Sequence, residues 1–450
     1  MHERFFLARH LIGVLLALHL CTTDAASAPA TLTSDDLGRY QVLRPPGPAK
    51  RLVFAFGNDG DPELGAAATA LAGRGALVAR IDVDRFATGV RDRHEQCLDV
   101  AAIVNWYANY LGRRYNLTRL EPPLLIGKGA GATLVYVLLG QAPPQTFAGG
   151  VSEFPRRTLP FTTPLCGLPG THGTLPQELL SALPPTAPWW PVAKPGESLP
   201  AGLSAAAGNQ PQPPSSEKLT QGAILAFDEL TAPTLQITQS IQDLPLVEVT
   251  ATTPNEALAV IYSGDGGWRD IDKTIGELLA KADIPVVGVD AVRYFWRRKT
   301  PQQTADDLTR ILKHYRDAWG SRRVLLVGYS FGADSLPATF NRLPVDAQRQ
   351  VAGLVLLAPA RKADFEVKIA GWLGHSSADA VPTQPELRRI APDKVLCIYG
   401  SEEAQDSLCT ASGLPGIKLL QRPGGHHFDG NYPLIARAIL EFFHKPADRE

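Results

Sequence analysis

The sequence predicts an α/β fold: a parallel sheet covered by helices on both faces, duplicated within one chain, with a degenerate N-terminal copy. Three observations predict it. Apolar strand-like runs alternate with helical stretches in both halves. The same motifs recur in the same order in each half. In the second half a glycine-flanked serine, GYSFG at 328–332, ends a strand and opens a helix, where the first half carries GKGAG at 127–131.

Size and charge bound the alternatives. At about 150 residues per domain, 450 residues make two or three domains with ample length for buried cores. Lys and Arg number 44 against 45 for Asp and Glu, a net charge of -1, which excludes a nucleic-acid binder held by bulk charge. With 44% hydrophobic and 20% charged residues, the chain is neither disordered nor a multi-span membrane protein.

In chain order, residues 1–28 read as an export signal. Arg4 and Arg9 precede an apolar run, LIGVLLALHL at 11–20, and small residues follow in TTDAASAPA. The run is shorter than the roughly 20 residues a bilayer crossing needs. Export into an oxidising compartment gives the remaining cysteines a meaning. Cys97, Cys166, Cys397 and Cys409 make an even set, and two disulfides are expected. Cys397 and Cys409 are close in sequence and are paired on that ground, which leaves Cys97 with Cys166.

Residues 35–183 form the first copy. Strand-like RLVFAF (51–56) runs into GNDGD, ALVARID (76–82) follows, a helical stretch ends at Gly112, and PLLIGKGAGAT (123–133) completes the pattern. Residues 184–225 read as a linker, since nine prolines fall between 184 and 214 amid Ala, Gly, Ser and Gln. Residues 226–450 form the second copy. ALAVIYS (257–263) runs into GDGGW, and PVVGVD (285–290) and VLLVGYSFGAD (324–334) repeat the earlier motifs. Ile271, Thr274, Ile275, Leu278 and Leu279 share one helical face. Thr300 caps and Pro301 opens the next helix, which ends at Gly320. Strands are expected at 351–358, 395–400 and 417–421, and a last helix at 432–444.

The chemistry sits in the second copy. G-x-S-x-G after an apolar strand is the nucleophile elbow of α/β-hydrolases. The serine sits on a strained turn, so the residues two away on either side must be Gly. Its hydroxyl then stands above the sheet at a helix N-terminus, which favours developing negative charge. Ser330 is the candidate nucleophile. The fold's order is Ser, acid, His, and PGGHHFDG (423–430) lies where the base belongs. His426 is preferred and His427 is its rival. The acid belongs after strand 395–400, in SEEAQDSLC, where Glu403 leads, with Asp406 and Glu402 behind it. The acid orients the imidazole and stabilises its charged form. Oxyanion donors are expected from the Phe331 N–H and the loop SGDGGW (263–268), with Gly266 first and Asp265 close behind.

Gly129 stands where the first copy would need its serine, so that copy has no nucleophile there. A structural or binding role follows for it, and Lys128 as a catalytic lysine is a remote alternative. RYFWRRK (293–299) mixes cations and aromatics after a strand end and is expected to line the mouth of the site. Asp265, Trp268, Arg293, Tyr294 and Trp296 are the candidate substrate contacts. No metal or other cofactor is expected.

YSGDGGW (262–268), GVDAVRYFWRRKTP (288–301), GYSFGAD (328–334), LCIYGSEEAQDSLC (396–409) and GGHHFDG (424–430) together resemble the bacterial virulence protein VirJ family. In its doubled layout the chain is similar to the AcvB-like, two-domain members. The resemblance covers nearly all of residues 245–445 and the first copy only in outline. It implies a periplasmic serine hydrolase acting on the aminoacyl ester of aminoacylated phosphatidylglycerol, lysyl or alanyl, at the membrane surface. It also implies a link to type IV secretion components; from the charge balance, no direct nucleic-acid partner is expected. A different class, a periplasmic chaperone or adaptor that needs no catalysis, is the alternative.

Overall fold

The computed structural model describes residues 28–91, 93, 96–156, 158–168, 183–193, 197, 203, 218–232, 241–253, 256–368 and 379–444. The export-signal segment, apart from its last residue, and much of the proline-rich stretch lie outside the described residues.

The chain forms two seven-stranded sheets, each flanked by helices, in the α/β-hydrolase arrangement. The first holds β1 (Ala30–Ser34), β2 (Gly38–Leu43), β3 (Arg51–Gly57), β4 (Ala76–Asp82), β5 (Leu124–Gly127), β6 (Gly149–Glu153) and β7 (Trp189–Val192) in the order β1-β2-β4-β3-β5-β6-β7. The second holds β8 (Leu246–Val249), β9 (Ala257–Tyr262), β10 (Val286–Val289), β11 (Arg323–Tyr329), β12 (Val351–Leu357), β13 (Val395–Gly400) and β14 (Lys418–Arg422) in the order β8-β10-β9-β11-β12-β13-β14. Read side by side, β2-β4-β3-β5-β6-β7 and β8-β10-β9-β11-β12-β13 are the same topology. In both, the leading strand is antiparallel to its neighbour and the rest pair in parallel. The duplication is therefore one of connectivity, not only of motif order.

Strand composition explains the layering. A parallel strand covered on both faces needs apolar residues in both directions, and alternate residues point to opposite faces. In β3, Leu52, Phe54 and Phe56 enter one core and Val53 and Ala55 enter the other, all fully buried. In β9, Leu258, Val260 and Tyr262 face one way and Ala259 and Ile261 the other. Each large apolar side chain so buried contributes roughly 1.5–3 kcal/mol.

The helices follow their end signals. Pro301–Trp319 opens on a Thr300–Gln303 capping box and closes on Gly320 in the left-handed conformation. Its buried face is Ala305, Leu308, Ile311, Leu312 and Tyr315. Two expectations need correction. The helix expected to end at Gly112 runs on through Val100–Arg114, and Gly112 instead leaves room for the Trp296 ring, 3.0 Å from where a Cβ would stand. The stretch read as a linker also carries structure. It contains β7, on the edge of the first sheet, and runs into helix Leu219–Thr231, which packs on helix Pro62–Gly73. Trp189, Trp190 and Val192 are buried there, which offsets the local proline content.

Both disulfides are present, Cys97–Cys166 and Cys397–Cys409.

Candidate active site

Ser330 is placed by the elbow. It sits at φ 52° and ψ -119° between β11 and helix Phe331–Phe340. The flanking glycines are obligatory on steric grounds. A Cβ on Gly328 would come 2.5 Å from the Ala333 backbone nitrogen, and one on Gly332 would come 2.2 Å from the Tyr262 carbonyl oxygen. The turn therefore packs directly on the end of β9. The Ser330 N–H donates to the Leu357 carbonyl at 2.9 Å, which anchors the elbow to β12.

His426 and Glu403 converge on that hydroxyl. His426 Nε2 lies 2.7 Å from Ser330 Oγ, and its Nδ1 lies 3.0 Å from Glu403 Oε2. Both partners are partly exposed. Two loops make this meeting possible. After β13, residues Ser401–Glu403 form one 3-10 turn. The histidine turn follows β14, with Gly424 at φ 86°, where a Cβ would collide with the Phe428 carbonyl oxygen at 2.1 Å. The two loops are tied together, because the Glu402 N–H donates to the Gly424 carbonyl at 3.1 Å. The Cys397–Cys409 bridge spans the acid loop from its strand to its far end.

The structure separates the rival candidates. His427 turns away from Ser330, and its Nδ1 lies 3.3 Å from the Tyr329 hydroxyl. Asp406 is exposed, beyond the turn that carries Glu403. Its N–H donates to the Glu403 carbonyl, a backbone contact only.

The glycine loop lies against the elbow. A Cβ on Gly264 would stand 3.6 Å from Ser330 Cβ, and the Gly267 N–H closes a turn onto Gly264 at 3.1 Å. Phe331 opens the helix, so its N–H belongs to the first-turn donors that lack an intrahelical acceptor. Gly266 sits in the same loop, beside Asp265. Burial raises the Asp265 carboxyl above its ordinary range, against the pull of nearby His426. Asp334, in the first turn of the helix, is pushed up well above the usual carboxylate range. Burial is the main cause, opposed by its hydrogen bond from the Ala360 N–H and reinforced by Asp265.

Four expected substrate contacts require correction. Trp268 is buried beneath the sheet, its ring against Gly276 and Gly288. Tyr294 is buried, and its hydroxyl donates to Asp307 at 2.7 Å. Trp296 is buried against Leu120 of the first domain, and Arg293 reaches the Gln145 carbonyl of that domain at 3.3 Å. The RYFWRRK segment is apolar and cationic because it meets the other half of the chain. Of the five, Asp265 alone stands beside the His426 and Ser330 pair.

Sequence reasoning missed Asp334, Tyr329, Asp272 and Asp290. Asp334 was visible as the last residue of GYSFGAD. Asp272 is buried behind the glycine loop, where its Oδ2 accepts from the Gly264 N–H at 3.4 Å. Asp290 accepts from the backbone N–H groups of Arg293, Val292 and Trp268, so it joins two loops. Asp290 carries the local signal of an N-cap at helix Ala291–Tyr294, whereas Asp272 carries none for its bond to the Gly264 backbone.

The first domain keeps the elbow without its serine. Gly129 holds φ 60° and ψ -123°, and no histidine occurs from residue 189 to 250. Lys128 bonds Glu63 at 2.7 Å and Asp61 at 3.2 Å. Burial pulls its ammonium down, but those hydrogen bonds outweigh burial and hold it above its ordinary value. It is a salt-bridged cation there, not a free base.

Residues 256–447 match the family described as bacterial virulence protein (VirJ). No curated protein matches the chain. Among solved structures, the chain is similar to Est1E from Butyrivibrio proteoclasticus with ferulic acid bound, at 14% identity and a TM-score of 0.32, over 44% of this chain and 93% of that one. It is similar to the naproxen esterase (carboxylesterase NP) of Bacillus subtilis at 13% identity and a TM-score of 0.33, over 45% and 88%. It is also similar to XC6422 from Xanthomonas campestris, an a/b serine hydrolase without a lid, at 17% identity and a TM-score of 0.32, over 45% and 90%.

Proposed function

From the match of residues 256–447 to the VirJ family, we propose that this protein is a periplasmic serine hydrolase that cleaves the aminoacyl ester of aminoacylated phosphatidylglycerol, lysyl or alanyl. The observation that carries this reading is the continuous contact from Ser330 Oγ through His426 to Glu403, at 2.7 and 3.0 Å.

The chemistry follows from those atoms. Ser330 Oγ attacks the ester carbonyl carbon while His426 Nε2 takes the hydroxyl proton. Glu403 keeps the other ring nitrogen protonated and stabilises the imidazolium. The carbonyl oxygen becomes an oxyanion facing the Phe331 N–H and the 264–266 loop, with Gly266 the candidate second donor. The carbon–oxygen bond to the lipid glycerol then breaks, and His426 returns the proton to the departing oxygen. Water, deprotonated by the same ring, attacks the acyl-serine ester. The free amino acid leaves and Ser330 regains its proton.

The substrate class rests on the family and on charge. An aminoacyl ester carries an ammonium close to the scissile carbonyl. Asp265 and Asp334 stand by the nucleophile with carboxyls raised by burial, and an incoming ammonium restores their charged form. The two disulfides accord with an oxidising compartment. No described helix is long and apolar enough to cross a membrane.

The test is direct. The full chain is mixed with lysyl- and alanyl-phosphatidylglycerol vesicles, and released amino acid is measured beside Ser330→Ala. Release by the wild type and a loss of roughly 10⁴-fold or more in the variant are expected. Equal release by both, or none by the wild type, removes the reading and leaves the adaptor alternative.

A further inference from the structure

The two halves are joined by a set of contacts concentrated on one segment of the second domain. Arg113, at the end of helix Val100–Arg114, is half-buried and stacks its guanidinium 3.6 Å over the Trp296 ring. It donates to the Trp296 carbonyl at 2.7 Å and also to the Val367 carbonyl. Trp296 Nε1 in turn donates to the Leu117 carbonyl at 2.9 Å, and Arg297 donates to the Thr118 carbonyl at 2.6 Å. Burial lowers the Arg113 pKa, against the pull of Glu366. A cation is thus held in a desolvated seam by carbonyls and a ring face, with donors crossing in both directions.

What Arg113 grips leads to the elbow. The segments at 295–299 and 365–367 pair through Val367 N–H to Phe295 at 3.0 Å and Lys299 N–H to Phe365 at 2.9 Å. Phe295, fully buried between them, packs its ring 5.0 Å from Phe331 and 6.1 Å from Phe365. Phe331 immediately follows Ser330. The same segment begins at Asp290, whose carboxylate also holds the Trp268 end of the glycine loop. One fork therefore fastens the 295–299 segment, which meets Phe331 through Phe295 and follows Asp290 of the glycine-loop contact, to the 365–367 segment that pairs with it. A planar guanidinium can bond two carbonyls and stack at once, which an ammonium cannot.

We infer that the first domain, having no nucleophile, is an intramolecular support for the site of the second, and that Arg113 is a positioning residue for it. The inference rests on the hydrolase reading. A preorganised donor must be held to within a fraction of an ångström, and a misplacement of about 1 Å from a distant change can cost as much as 10²-fold. The first copy has thus kept its elbow as architecture, while the last turn of helix Val100–Arg114 reaches across the seam.

The experiment uses the full chain and p-nitrophenyl acetate, an ester too small to touch Arg113. Active sites are titrated with a fluorophosphonate, so that turnover is counted per competent serine. Arg113→Ala is expected to lower kcat per titrated site about tenfold or more with KM nearly unchanged, and added methylguanidinium is expected to restore part of it. Arg113→Lys is expected to stay well below the wild type, because an ammonium lacks the planar fork that meets both carbonyls while its face stacks on Trp296. If Arg113→Ala fails to fold, Trp296→Phe, which keeps the ring and loses the bond to Leu117, is measured the same way and should also lose kcat. A change in kcat per site smaller than about fivefold in the folded variant overturns the inference. Ser330→Ala separates the two failures. A wild type without turnover, or Ser330→Ala with full turnover, refutes the hydrolase reading. Full turnover in Arg113→Ala beside an inert Ser330→Ala refutes the support role alone.

Discussion

Gly129 and Ser330 hold the same backbone conformation in the two halves of the chain, φ 60° and ψ -123° against φ 52° and ψ -119°. The equivalent turns also sit on equivalent strands, β5 and β11, at the centre of sheets with one topology. The first copy has kept the strained bend and lost the side chain that justifies it. Glycine adopts this region without the penalty that serine meets at Ser330.

Gly129→Ser should therefore fold and stay inert. A Cβ there meets nothing within 4 Å, and the cost is the strained positive-φ backbone alone, about 1–3 kcal/mol. Among the described residues no imidazole stands beside the new hydroxyl. Denaturant midpoints measure the cost, and fluorophosphonate labelling in a Ser330→Ala background measures the inertness. Labelling at position 129 would contradict this account.

The acid is decided by contact. Glu403→Gln should lower kcat by about 10² to 10⁴-fold, because the amide leaves the His426 ring in the wrong tautomer and without its counter-charge. Asp406→Asn should stay within about twofold, as expected for an exposed carboxylate away from the ring. Steady-state kinetics on any accepted ester distinguishes the two, and reversed effects would move the role to Asp406.

The Cys397–Cys409 bridge closes a short loop of 12 residues' separation. Replacing both cysteines by Ala should cost about 3 kcal/mol of stability and lower kcat, since the loop carrying Glu403 loses one of its anchors. Urea unfolding and kinetics under conditions where the variant is fully folded test the two parts separately. A stable variant with unchanged kcat leaves the bridge without a role in placing the acid.

Asp272 sets a pH dependence. It is buried, its Oδ1 meets no donor among the described residues, and burial pushes its carboxyl far above the ordinary range. The folded state therefore keeps a proton that the unfolded chain releases as pH rises above its ordinary carboxyl value. Stability falls with rising pH across that window, up to the raised value. Asp272→Asn does not titrate and can still accept from the Gly264 N–H. Its advantage over the wild type should be small near pH 4 and grow to on the order of 1 kcal/mol or more by pH 8. Urea midpoints across that range test it, and a pH-independent difference would refute the cause.

Much of the second half was legible because its signals are local. Thr300 and Pro301 announce a helix start, and the apolar runs at 257–263, 351–358 and 395–400 each lie where a central strand stands. What escaped were edge strands such as β7 and β8, which are short. The tryptophans and prolines of β7 read as a linker until the sheet edge pairs them. Trp296 and Arg293 were misplaced for a similar reason. An aromatic and cationic loop has the same composition whether it faces substrate or another domain, and only the docked first domain tells them apart.

By itself the sequence determined the doubled α/β order, the serine on its glycine-flanked bend, the missing serine at 129 and short lists of partner residues, because each is written in spacing or in backbone-permissive residues. The tertiary structure alone decided that His426 rather than His427 faces Ser330, that Glu403 rather than Asp406 meets the ring, and that Arg113 reaches the segments beside Phe331. Those choices depend on where separate loops end in space, and no local pattern encodes a distance across 23 or 96 residues of chain.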